Sequence, residues 1–157
     1  MATITMTSSL RRPLIAGNWK MHLTLAQSVE LAKAIKDGIS GDSAEAVLCV
    51  PFTALSVVAE VLKGSQVKLG AQDLFWETQG AFTGEISPAQ IMDAGARMVI
   101  IGHSERRRYF QEDEEAVNKK LRAALAVKLT PILCIGETLE EREAHRTFKV
   151  LQTQLEG

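Results

Sequence analysis

Hydrophobic residues in this chain fall into short apolar runs that alternate with stretches of helical period. The clearest run is Met98 to Ile101, with a β-branched majority and no polar alternation. It predicts a strand covered on both faces, as in a parallel sheet under helices. Pro13 to Ala16, Ala46 to Val50, Val67 to Ala71 and Thr130 to Ile135 predict four more strands. Leu25, Val29, Ala32, Ile35 and Ile39 form a helical stripe that begins at a capping box, Thr24 with Gln27, and is followed by Gly41. Leu55, Val58, Ala59 and Leu62 line a second helical face at i, i+3, i+4 and i+7. Ser87, Pro88 and Gln90 give a capping box with proline at the first helical position, opening a short helix through Ala94. Asp113 caps another helix, with Glu114 and Glu115 in its first turn and Lys119, Lys120 and Arg122 later, which suits the helix dipole. Val117, Leu121 and Leu125 are expected to face inward there, and Phe148, Leu151 and Leu155 form a last helical stripe.

Strand followed by helix, five times over and without a hairpin signal, implies a parallel sheet with right-handed crossovers. Five such units in 157 residues is roughly thirty residues each, and eight would reach the ~250 residues of a (β/α)8 barrel. The expectation is therefore an α/β chain, an incomplete barrel of about five βα units spanning 13–157, preceded by a disordered tail at 1–12. A doubly wound open sheet is the alternative, although no Gly-rich nucleotide loop follows the first strand. The long loop Gln72 to Ile86 carries Phe75, Trp76 and Phe82. A loop of that length is usually functional or part of an interface.

Composition narrows the partners. With 18 Lys and Arg against 19 Asp and Glu, there is no charge excess to draw a nucleic acid. No apolar run approaches the length of a membrane span. Cys49 and Cys134 both sit in strand-like apolar runs, so buried free thiols and a reducing, cytoplasmic setting are expected. The N-terminal Ser- and Thr-rich stretch ending in Arg11 and Arg12 has no following apolar region, so a secretory signal is not expected.

The chemistry is expected where strands give way to βα loops, at the carboxyl end of a parallel sheet. Gly102, His103, Ser104, Glu105 and three arginines follow the fourth strand directly. His22 and His145 have no metal-ligand spacing to His103, so no metal is expected. Arg106 stands where a nucleophile elbow needs its second glycine, which disfavours acyl transfer. A helix starting near Ser104 would direct backbone N–H groups at the imidazole and favour its uncharged form, able to donate to a carbonyl oxygen. A structural histidine is the competing reading. Lys20, just past the first strand, would face the same mouth and supply a fixed positive charge; the competing reading is a solvated loop lysine. Glu105 is expected to pair with a lysine across the mouth, Arg106 to Arg108 to form local ion pairs with the acids that follow, and Glu137, Glu140, Glu141 and Arg142 to be a solvated helix start.

Ala16 to Met21, Gly70 to Asp73, Gly80 to Glu85, Ile101 to Arg107 and Cys134 to Glu137 together make a set that resembles the triosephosphate isomerase family, in the family's order. The resemblance implies a TIM barrel and a homodimer acting in glycolysis and gluconeogenesis. It implies interconversion of glyceraldehyde 3-phosphate and dihydroxyacetone phosphate through an enediolate, without cofactor or metal. By the same resemblance Asn18 and Lys20 are substrate-binding, and His103 and Lys20 are catalytic. Glu105 and Ser104 are supporting, and the dimer loop carries Thr83, Gly84 and Glu85. That family is itself the standard example of a histidine kept neutral by a helix N-terminus, so this point belongs to the resemblance. The family's catalytic glutamate, on the sixth strand–loop, has no counterpart in these residues, nor do the mobile lid and the last phosphate-gripping loops. The bare chain is accordingly expected to lack turnover. The alternatives are a non-catalytic association module and another phosphate-binding barrel, the second disfavoured by the joint Asn18–Lys20 and His103–Glu105 patterns.

Overall fold

The structure, a computed structural model, describes residues 12–41 and 43–157. Its framework is a five-stranded parallel sheet: β1 (Leu14–Asn18), β2 (Glu45–Val50), β3 (Lys68–Ala71), β4 (Met98–Ile101) and β5 (Thr130–Leu133). Each strand lies beside its predecessor, in the order β1-β2-β3-β4-β5. That order never reverses, so the sheet has no topological switch point and is the wall of a barrel, not a doubly wound sheet. The register sets Asn18 beside Cys49, Gly70 beside Met98 and Ile101 beside Leu133. The expected tail at 1–12 lies outside the described residues except for Arg12, whose guanidinium donates to the Ala44 carbonyl.

The side-chain alternation of each strand divides the apolar residues between two layers. Leu48, Val50, Leu69, Ala71, Val99 and Ile101 face outward under the helices. Val47, Cys49, Met98 and Ile100 face the concave side, with Ile132 and Cys134 against them. Gly70 belongs to the inner layer, where an added Cβ would lie 2.8 Å from the Cys49 sulfur.

The helices are α1 (Leu25–Gly38), α2 (Leu55–Leu62), α3 (Pro88–Asp93), α4 (Ser104–Phe110), α5 (Glu114–Ala126), α6 (Leu139–Glu143) and α7 (Thr147–Glu156). Both expected capping boxes form, Thr24 with Gln27 and Ser87 with Gln90, and Asp113 caps α5 at Ala116. None of these helices among the described residues is long and apolar enough to cross a membrane.

Two sequence expectations, for Leu125 and for Glu137, need correction. On α5 the buried residues are Val117, Lys120 and Ala124, whereas Leu125 is 61% exposed. Eight residues beyond Val117 the helix has turned about 80° off that face, while seven residues brings it nearly back. The apolar stripe of α7 is not laid against the sheet, since Phe148 is 88% exposed and Leu155 64%. That helix is held instead by polar ties, Gln154 to both the N–H and carbonyl of Gly136 and Asn118 to the Gly157 carbonyl. Finally, the Glu137 carboxylate is not solvated: it accepts from Arg142 at 2.8 Å and from the Thr147 hydroxyl at 3.2 Å, and its side chain is only 8% exposed.

Candidate active site

β1 and β4 deliver Asn18, Lys20 and His103 to one rim, because both strands run the same way in the sheet and all three residues sit at or just past their carboxyl ends. Lys20 has φ +53°, a left-handed conformation unusual for a residue with a side chain. Two hydrogen bonds hold it there, and a third anchors Gln72. The Asn18 Oδ1 accepts the Lys20 N–H at 3.0 Å, and the Gln72 amide donates to the carbonyls of Lys20 and Cys49, both at 3.0 Å. Strain kept by such surrounding bonds is common where a side chain must be aimed. The Lys20 ammonium then reaches Glu105 on α4 at 2.6 Å.

Beyond β4 the chain turns through Gly102 at φ +73° into α4, with His103 as the N-cap. The Glu105 N–H donates to His103 Nδ1 at 3.2 Å. Nδ1 also lies 3.5 Å from a Glu105 carboxylate oxygen, but a nitrogen whose lone pair accepts an N–H cannot donate there. The proton of the neutral ring is therefore assigned to Nε2, which leaves one N–H donor for the cleft. Glu105 is held below the usual carboxylate range, first by its hydrogen bond from Lys20, against the opposing effect of desolvation. The carboxylate form of Glu105 is thereby favoured beside the Lys20 ammonium.

These groups line an open cleft of about 550 Å³ together with Phe52 and Gln72. Ser104 opens α4 but is exposed and does not line the cleft. Thr83, Gly84 and Glu85 also lie apart from it, on the exposed tip of the loop after β3. That loop is closed at its base by Phe75 N–H to Ile86 carbonyl and packed on its own aromatics, Phe75 with Trp76 and Phe82. A second cleft of about 520 Å³ lies at the amino end of β3, but its lysines are already paired, Lys63 with Glu60 and Lys68 with Glu45. It gathers no comparable set.

Two features were not legible beforehand. The sequence shows Gln72 only as part of the Gly70–Asp73 segment and as the start of a loop, yet it follows β3 just as Lys20 follows β1. That equivalence was the available signal. Behind the rim lies a buried ionic cluster: Lys120 with Asp73 at 2.6 Å and with Glu112, and Arg106 with Asp73 at 2.9 Å and Glu112 at 3.1 Å. Burial pushes Asp73 up, further than Lys120 and Arg106 pull it down. For Glu112 burial also acts upward, but the bonds from Lys120 and Arg106 prevail and hold it low. Arg106 is thus tied to the loop as well as to the neighbouring acid, which sequence proximity alone did not indicate.

An ammonium and a neutral N–H donor at one rim can together steady negative charge growing on an oxygen. Among the described residues no cluster of His, Cys, Asp and Glu is arranged to hold a metal ion. A family model described as triosephosphate isomerase matches residues 13–157. A protein named triosephosphate isomerase from Citrifermentans bemidjiense is 55% identical over 149 residues, 94% of this chain and 59% of that protein. One of the same name from Alkaliphilus metalliredigens is 52% identical over 93% of this chain and 59% of its own. The crystal structure of triosephosphate isomerase from Bartonella henselae superposes with a TM-score of 0.89 at 45% identity, over 93% of this chain and 61% of that one. This chain spans about three-fifths of the length of the relatives it matches.

Proposed function

The chain belongs to the triosephosphate isomerase family, and on that premise we propose that it carries the electrophilic half of an isomerase site for glyceraldehyde 3-phosphate and dihydroxyacetone phosphate. The observation that carries this reading is the meeting of the Lys20–Glu105 pair and the capped His103 imidazole at one rim. When a proton leaves the carbon next to the substrate carbonyl, charge moves onto the carbonyl oxygen. The His103 Nε2–H and the Lys20 ammonium are the groups that stabilise it, and Asn18 helps to hold the substrate. Lys20 also offers the positive charge that a phosphorylated triose requires. Glu105 is committed to Lys20, so it is not the base.

The same reading gives the exposed tip at Thr83, Gly84 and Glu85 to the interface of a homodimer, and places the protein in the cytoplasm, in keeping with its two free cysteines. The test is a fusion of residues 13–157 to the remaining part of the Citrifermentans bemidjiense relative. The fused protein is expected to isomerise glyceraldehyde 3-phosphate, and the bare chain to show no turnover. A folded but silent fusion would favour a non-catalytic association role, and full turnover by the rigorously purified bare chain would show that the base lies within it.

A further inference from the structure

We propose that Arg107 is a positioning residue for His103, holding the turn that carries the imidazole to the rim. The proposal rests on the reading of His103 as the electrophile. The α4 helix spans seven residues and buries none of them, so apolar packing does not set its seat against the sheet. Polar ties do. Arg106 ties α4 to Asp73, at the start of the loop after β3, and to Glu112. Arg107 reaches the other way. Its Nε donates to the carbonyl of Gly102, the residue before His103, at 2.8 Å. Its two terminal nitrogens grip both oxygens of Glu114, the first residue of α5.

The Arg107 side chain is 18% exposed, and its guanidinium lies against Gly102. A Cβ at that glycine would stand 3.1 Å from Arg107 Nη2 and 3.2 Å from the Cys134 carbonyl. One side chain therefore joins the end of β4, the α4 helix and the start of α5 around the peptide that precedes His103. The imidazole accepts from the N–H of Glu105, two residues further on, so its orientation follows the backbone of 102–105. A planar fork makes the carbonyl bond and both carboxylate bonds together, whereas an ammonium has no fixed fork to match the two carboxylate oxygens.

The test uses the 157-residue chain with ¹⁵N-labelled histidine, read by NMR at mildly alkaline pH. A ring held by the Glu105 N–H shows two well-separated nitrogen signals of one tautomer, whereas His22 and His145, both exposed, serve as internal controls for averaging. In Arg107→Met the His103 pair is expected to collapse toward the averaged position with the controls unmoved. Glu114→Ala should give a smaller movement, and Arg107→Lys should restore part of the separation. An unchanged His103 pair in folded Arg107→Met overturns the proposal. If Arg107→Met does not fold, Glu114→Ala decides by the same reading. If neither folds, Arg107 holds the fold and not the imidazole, and the proposal fails. No turnover is measured, so this outcome is separate from the kinetic test of His103 as electrophile.

Discussion

The Lys20 ammonium lies 2.6 Å from the Glu105 carboxylate although 85 residues separate them in the chain. The contact joins the first βα loop to the fourth, which is possible only because every strand between them runs parallel and in order. It also sets a pH dependence. Glu105 is lowered from the ordinary value of 4.5, chiefly by its bond from Lys20. A lowered carboxylate contributes stability that is present above its unfolded pKa and is lost as pH falls through the folded one. Solvent screening keeps the effect modest at this exposed pair. Glu105→Gln is therefore expected to flatten the stability profile below about pH 4.5, measured by urea unfolding across an acid series. An acid limb identical to that of the unmodified chain would contradict this.

Gly102→Ala should be strongly destabilising. The residue sits at φ +73°, and an added Cβ would press on Arg107, the Cys134 carbonyl and Val117 at 3.1 to 3.3 Å. Left-handed strain for a residue with a side chain costs on the order of 1–3 kcal/mol. A shift of the urea midpoint with unchanged slope checks it. No shift would mean that the turn relaxes freely.

Most of the fold was legible because it depends on local signals. Met98–Ile101 was read as a strand with its observed bounds, and the boxes at Thr24 and Ser87 fix helix starts through contacts three residues long. The rim was legible through strand ends: once the sheet is parallel, residues following β1 and β4 must share a mouth. Gln72 escaped notice because its partners are the carbonyls of Lys20 and Cys49, 52 and 23 residues away, and backbone acceptors leave no mark on composition. In the sequence Lys120 counts only as a cation suited to the helix dipole, since a lysine on a buried face is intelligible only after Asp73 and Glu112 are seen beside it. Phe148 and Leu155 show the reverse limit. Periodicity identifies an apolar stripe but not what, if anything, lies against it.

Lys120→Met should cost roughly 3 kcal/mol, because two buried carboxylates lose one of the two cations they share and keep only Arg106. The side chains of Lys120, Asp73 and Glu112 are 5%, 7% and 3% exposed. Adding Glu112→Gln should recover part of the loss, and a double-mutant cycle measures how much. Strict additivity would mean the two groups do not act together.

Gln72→Leu should loosen the left-handed Lys20 without emptying the core. The Lys20 carbonyl loses its donor, a cost of roughly 1–3 kcal/mol, while the Cys49 carbonyl keeps the Trp19 N–H. Hydrogen exchange at the Lys20 amide, which donates to Asn18, should accelerate more than exchange at the Val99 amide within β4. Equal acceleration at both would show a global effect and remove Gln72 from the positioning of Lys20.

The most direct measurement is steady-state isomerisation by the fused protein carrying His103→Gln. If the neutral imidazole stabilises charge that exists only in the transition state, kcat should fall roughly 10²–10³-fold with little change in KM. An unchanged kcat in a correctly folded variant would remove His103 from the chemistry and contradict the reading of this rim as the electrophilic half of the site.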